Sequence, residues 1–194
     1  MIATLRRTVL TVLVIACTMA TAVAAARATP GEPTTLRVQG TQIMVSENVF
    51  KSHGGLLGDF WILTFVPLYE SASLVIGTGT ERFVGCVDVD RDSGCEAGEP
   101  SGELRFDYIQ WTTFDPSTGV LVEGNCVHPV TGGDGDFHGA RGLVTMNDVV
   151  VGGDVRTTYE GTVVLNAAPA DAPAAHASAA QSAAELSPAS RGRC

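Results

Sequence analysis

The stretch DVDRDSGCEAGE, residues 88–99, concentrates the side chains best suited to hold a metal ion. Asp88, Asp90, Asp92, Glu96 and Glu99 occupy its first, third, fifth, ninth and twelfth places. A hard cation such as calcium takes six to eight oxygens from a chain wrapped around it, and carboxylates at this spacing supply them. Two features depart from a helix-flanked calcium loop. Ser93 stands at the sixth place, with glycine one residue later at Gly94, and the flanking segments read as strands. The expectation is therefore a loop between two strands whose calcium has a structural role, stiffening a hairpin. The alternative is a solvated acidic hairpin tip.

A second group of candidates is aromatic and polar. His128 shares strand parity with Val122 and Cys126, and His138 lies on the next apolar run. Two histidines near one hairpin can bind a metal or exchange protons, although no third ligand has the spacing. Tyr108, Trp111 and His128 are the leading candidates for a site inside a closed sheet, with Asp107 and Arg141 beside them. Against a site there, Phe60, Trp61, Phe65, Phe106 and Phe114 can simply fill such an interior, as side chains do in eight-stranded barrels. His53 falls in a loop-like stretch and His176 in the tail, and neither is assigned a role. No serine elbow, paired zinc motif, phosphate loop or dinucleotide fingerprint is present.

The elements that must position these residues read as short strands. In VRTTYEGTVVL, Val155, Thr157, Tyr159, Val163 and Leu165 fall on one face, and Arg156, Thr158, Glu160 and Thr162 on the other. GELRFDYIQWTTF alternates through Leu104, Phe106 and Tyr108, then changes phase at Ile109 and Trp111, which predicts a bulge or a strong bend. DPSTG, residues 115–119, is a turn with a left-handed exit at glycine. Strands are expected near 36–49, 60–69, 72–79, 82–88, 102–114, 120–131, 137–148 and 155–166. So many short runs with turn signals indicate an all-β sandwich or closed barrel. Glycines inside them, at Gly124, Gly139, Gly142 and Gly161, favour a small barrel whose strands bend sharply. The cluster at Gly132, Gly133 and Gly135 reads as a tight turn.

The ends differ from this core. Residues 1–26 open with Arg6 and Arg7, continue as an apolar run and finish in small residues, the order of a cleavable export signal. VIAC, ending at Cys17, offers lipid anchoring as the alternative. Residues 167–194 are built from Ala, Pro and Ser and cannot bury enough surface to order themselves, so a disordered tail is expected. Between them, residues 27–166 form one domain. Loss of Arg6 and Arg7 with the signal takes the net charge from −9 to −11. That charge argues against nucleic-acid or anionic-membrane partners, and no membrane span is expected after signal removal. Oligomeric state is not legible.

In an oxidising compartment, Cys86, Cys95, Cys126 and Cys194 allow three pairings. Cys86–Cys95 is preferred because the two flank the acidic loop. Cys86–Cys126 is the competitor, and Cys194 would stay free or bond another chain.

VTGGDGDFHGARGLVTM followed by VRTTYEGTVVL resembles the glycine-bearing signature of allene oxide cyclases and dirigent proteins. The residues concerned are Thr131, Gly132, Gly133, Gly135, Phe137, Gly139, Ala140 and Gly142, with Asp134 where that pattern often has Thr. The likeness covers about residues 72–166 and implies a small eight-stranded antiparallel barrel. It says little about function, since the motif shapes the barrel and does not hold catalytic groups. Three classes follow: a secreted barrel binding an apolar small molecule in its lumen, a cyclase or coupling guide, and an interaction protein with a filled barrel.

Overall fold

The computed structural model describes residues 32–152 and 154–166. Eight strands run in sequence order around one closed sheet: β1 (Thr34–Ser46), β2 (Val49–Gly54), β3 (Leu56–Glu70), β4 (Leu74–Val87), β5 (Ser101–Phe114), β6 (Leu121–Gly135), β7 (Arg141–Val151) and β8 (Asp154–Leu165). Every neighbouring pair is antiparallel, and β1 pairs with both β2 and β8, which closes the barrel and removes its edges. This is the architecture that the glycine-bearing motif implied. Residues 1–26 and 167–194, with their export, anchoring and tail readings, lie outside the described residues, as do Cys17, His176 and Cys194.

Several boundaries differ from the sequence reading. The runs at 72–79 and 82–88 are one strand, β4, because no turn residue interrupts GTGTER and both its flanks pair continuously with β5. The place of the lost strand is taken by β2, so His53 sits in a strand and not a loop. Gly132–Gly135 belongs to the end of β6, and the turn follows at residues 136–140. Gly135 still has the left-handed φ of 68° that the turn requires. No phase change occurs at Ile109. Strand β5 keeps its alternation, so Gln110 and Thr112 face inward and Ile109 and Trp111 outward. The register slips lie on either side of this stretch, at Arg105/Phe106 and Thr113/Phe114 of the β5–β6 pair.

Two ends of the barrel can be named from the turns. The lower end carries the 88–100 loop, the β2–β3 corner and the 136–140 turn. The upper end carries the turns after β1, β3, β5 and β7. The lower lumen is a packed aromatic core. Phe60 meets Phe83 at 5.0 Å and Phe106 at 5.5 Å between ring centroids, among Leu56, Leu104, Val144 and Val163, all fully buried. Phe137 closes it from the 136–140 turn, where Ala140 N–H donates to the Phe137 carbonyl (2.9 Å). Each such side chain contributes about 1.5–3 kcal/mol by leaving water. Tyr159 fixes the neighbouring corner. Its hydroxyl donates toward the His53 and Leu56 carbonyls (3.0 and 3.3 Å) and accepts the Leu56 N–H (2.8 Å).

Candidate functional site

Above the aromatic core the inward positions change character. Following the pairings around the sheet, Ser52 on β2 lies opposite Gln42 on β1, Gln42 opposite Thr157 on β8, and Thr157 opposite Asp148 on β7. Asp148 pairs with Gly124 on β6, and Gly124 with Thr112 on β5. One row of the barrel thus collects polar side chains from five strands, and Gln110 joins it one step deeper. All are buried. Within the row the Thr157 hydroxyl donates to Asp148 Oδ1 at 2.6 Å.

Deeper still lies a carboxylate–imidazole pair. Glu81 from β4 and His128 from β6 are 4% and 0% exposed at the side chain, with His128 Nε2 3.2 Å from Glu81 Oε2. The atoms are at ion-pair distance but out of line for a hydrogen bond, and His128 Nδ1 has no hydrogen-bond partner. Tyr108 stacks on the imidazole with centroids 5.7 Å apart, and Phe106 meets it edge-on at 6.3 Å. The Tyr108 ring lies over Gly79, where a Cβ would come within 2.7 Å of it, so only glycine leaves room. Its hydroxyl donates to the Thr64 carbonyl at 3.1 Å. Burial, and then the charge of Glu81, push the Tyr108 phenol well above its usual value.

Four polar atoms of this wall besides the imidazole nitrogens matter for what the lumen takes. The amide nitrogens of Gln42 and Gln110 and the hydroxyl of Thr112 have no hydrogen-bond partner, while the Ser52 hydroxyl leans on that of Tyr159. A buried polar group left alone costs about 1–3 kcal/mol. Several such donors inside one barrel leave hydrogen-bonding capacity that the protein's own acceptors do not meet. Around the upper mouth several exposed side chains are apolar, among them Met44, Val45, Leu68, Tyr69, Val120 and Val151, interspersed with the exposed Glu47, Glu70, Ser117 and Thr118.

Of the residues singled out in the sequence, Tyr108 and His128 meet in this wall. Trp111 does not: it is 40% exposed on the outer face, because the alternation of β5 runs through without the expected slip. Trp61 is also outside, beneath the Arg82 guanidinium at 4.8 Å. Asp107 faces outward, and Arg141 donates to Asn166 at the lower end (3.3 Å). His138 is exposed in the 136–140 turn. Of the aromatics expected to fill the interior, Phe60 and Phe106 are in the core and Phe65 packs against it. An open depression of about 480 Å³ lies on the outer wall between Thr78–Thr80, Asp107–Ile109 and Pro129. It faces solvent and not the polar row. Sequence reasoning missed Glu81, although its parity with Val75, Phe83 and Val87 on β4 was a signal that a carboxylate points inward.

The acidic loop forms a separate site candidate at the lower end. Cys86 and Cys95 are joined, which excludes Cys86–Cys126. Asp88 is buried and accepts the Arg91 and Ser93 N–H groups (2.5 and 2.9 Å). Glu99 accepts those of Val89 and Glu96 (2.6 and 3.1 Å). Arg91 and Ser93 both take left-handed backbone, φ 64° and 72°. Ligand oxygens gather within 4.8 Å as Asp88, Asp90 and Glu99, and as Asp90, Asp92 and Glu96. Asp90 accepts the Asp92 N–H (3.3 Å) and Asp92 that of Gly94 (2.8 Å), so four of the five carboxylates shape the loop, and each accepting oxygen keeps a second lone pair. The Glu96 carboxyl is raised above its usual value by a hydrogen bond with Asp92 and then by the neighbouring negative charges, the repulsion a cation relieves.

No family model and no curated protein matches the chain. The fold is a closed, antiparallel eight-stranded barrel. Among solved structures it is similar to a pterocarpan synthase dirigent protein at 12% identity, over 76% of this chain and 92% of that one, with a TM-score of 0.27. A likeness that remote bears on no residue's role, and the barrel rests on its own strand order. Among the described residues no helix is long and apolar enough to cross a membrane.

Proposed function

We propose that this is an exported barrel that holds a small organic molecule in the upper half of its lumen. The observation that carries the reading is the set of unpartnered donors on Gln42, Gln110, Thr112 and His128, all buried inside the barrel. They favour a ligand with carbonyl, ether or hydroxyl oxygens. Glu81 and Asp148 disfavour an anion there, and the apolar side chains among the rim residues suit a molecule whose body is apolar. The specificity is that of a neutral, oxygen-bearing compound, more polar at one end than the apolar small molecule expected from the sequence.

The Glu81–His128 pair favours a second reading, an enzyme of the proton-transfer class. A buried carboxylate and imidazole at 3.2 Å can pass a proton to and from a bound carbonyl or hydroxyl, with the lumen wall setting the substrate's shape. Native mass spectrometry of the full chain from culture medium tests the binding reading. A retained organic mass that is lost in Gln110→Leu/Thr112→Val supports it. A bare wild-type protein that also ignores a panel of neutral oxygenated probes overturns it. If a retained compound is chemically altered by wild type but not by Glu81→Gln, the second reading holds.

We further propose a structural calcium ion at residues 88–99. Wild type should melt a few degrees higher in calcium than in chelator. Asp90→Asn/Asp92→Asn should erase that difference, and equal melting of wild type in both conditions rejects the ion.

A further inference from the structure

The upper outer wall of β3 to β6 carries two adjacent rows of outward side chains that are mostly apolar. One row runs Val66–Thr78–Ile109–Val127 and the next Tyr69–Ile76–Trp111–Asn125, each residue directly opposite the one before it. Val66, Tyr69 and Ile109 are each just over half exposed, and Trp111 is 40% exposed. Single apolar side chains on a surface are ordinary. A contiguous set that includes a tryptophan and a tyrosine has the composition of a contact surface.

Beside these rows lies the outer depression between Thr78–Thr80, Asp107–Ile109 and Pro129. The sheet is loosened there. Pro129 has no N–H, and β5 pairs with β6 at Phe106–Val130 and again at Ile109–Val127, with no pairing of Asp107 and Tyr108 between them. The polar groups of the lining offer acceptors. Thr78 has already given its hydroxyl hydrogen to the Tyr108 carbonyl (2.7 Å), and the Thr80 hydroxyl shares a hydrogen bond with that of Thr64 (2.9 Å). The exposed Asp107 carboxylate takes part in no ion pair or side-chain hydrogen bond among the described residues.

We infer that this face docks a partner polypeptide, with one basic side chain of the partner in the depression and apolar side chains on the two rows. Charge selects that occupant. Arg105, the next outward side chain along β5, is held by Glu103 and Asp134, which leaves Asp107 uncompensated. Arginine fits best, because its planar fork gives a carboxylate two hydrogen bonds and has further N–H groups for the threonine oxygens. A second copy docked two-fold by the same face would bring Asp107 against Asp107. An anionic lipid surface repels a chain of net charge −9. The inference does not rest on the lumen reading, since every side chain it uses lies on the outer wall.

The test uses the full chain carrying Trp61→Phe, which leaves Trp111 as the single tryptophan. Blocked hexapeptides of leucine and phenylalanine around one arginine are titrated while Trp111 emission is followed. Peptides with norleucine or glutamate in place of the arginine are the controls. The arginine peptide should shift the emission saturably, and the norleucine peptide should bind about tenfold more weakly. The glutamate peptide should bind more weakly again. Asp107→Asn should remove the preference for arginine, and Ile109→Ser should weaken every peptide. Both positions are exposed, so neither change should move the melting temperature appreciably. Equal binding of all three peptides, binding of none, or an arginine preference that survives Asp107→Asn overturns the proposal. So does self-association of the wild type in sedimentation equilibrium that Ile109→Glu abolishes, which assigns the face to a second copy. Phosphatidylcholine vesicles that shift Trp111 emission as far as the arginine peptide assign it to a lipid surface and overturn it equally.

Discussion

The two halves of the lumen are walled by the same eight strands and differ in every other respect. Below, Phe60, Phe83 and Phe106 interlock with aliphatic neighbours, and the only polar group of note, the Tyr159 hydroxyl, is fully bonded. Above, glutamine, threonine, aspartate, glutamate and histidine face inward, and several of their donors are unmatched. A fold needs one dry core to be stable, and the lower half supplies it. The upper half contributes less by apolar burial and costs desolvation of its polar groups.

The largest test of that contrast is Phe83→Ala. Loss of a fully buried ring should lower stability by about 3–5 kcal/mol in chemical denaturation. A loss under about 1 kcal/mol means that the lower half is not the load the barrel rests on. Next come the tyrosines. Tyr159→Phe strands the Leu56 N–H and should cost about 2 kcal/mol, against about 1 for Tyr108→Phe, whose hydroxyl makes one bond. Both phenols are raised by burial. A raised folded pKa lends stability that is whole below the unfolded value near 10 and drains as pH climbs past it. Phenolate absorbance from these two should therefore appear together with unfolding above about pH 10, and separate earlier ionisation contradicts their burial.

Gln110→Leu and Thr112→Val should each change stability by no more than about 1 kcal/mol, since apolar replacement removes an unmet donor. A penalty as large as that of Phe83→Ala would erase the distinction between the halves. The smallest effect belongs to the exposed turn at residues 115–119. There Asp115 accepts the Ser117 hydroxyl and N–H (2.6 and 2.7 Å), which lowers its pKa. Its contribution is present above the unfolded value near 4 and lost as pH falls through the folded one. Asp115→Ala should lower the melting temperature slightly at pH 7 and not at all near pH 2.

Legibility followed the range of the interaction. The turn at 115–119 and the alternation of β8 were readable because they rest on residues a few places apart, and Gly119 indeed takes φ 68°. Trp111 was misplaced because two large apolar residues, Ile109 and Trp111, looked like an inward face. In a curved sheet they stay outside, and the polar Gln110 and Thr112 take the inside. Glu81 was passed over because one carboxylate in an apolar run reads as an interruption until the opposite strand brings His128 to it.

The amino-acid sequence by itself determined that the chain is all-β, where most strands run, and that a cysteine-flanked acidic loop interrupts them. Those features depend on a period of two and on local turn chemistry. Only the tertiary structure decided that β1 meets β8, that Gln42 stands beside Thr157, and that Glu81 faces His128. Those contacts join residues far apart in the chain, and their register is set by closure of the whole barrel, which no local spacing encodes.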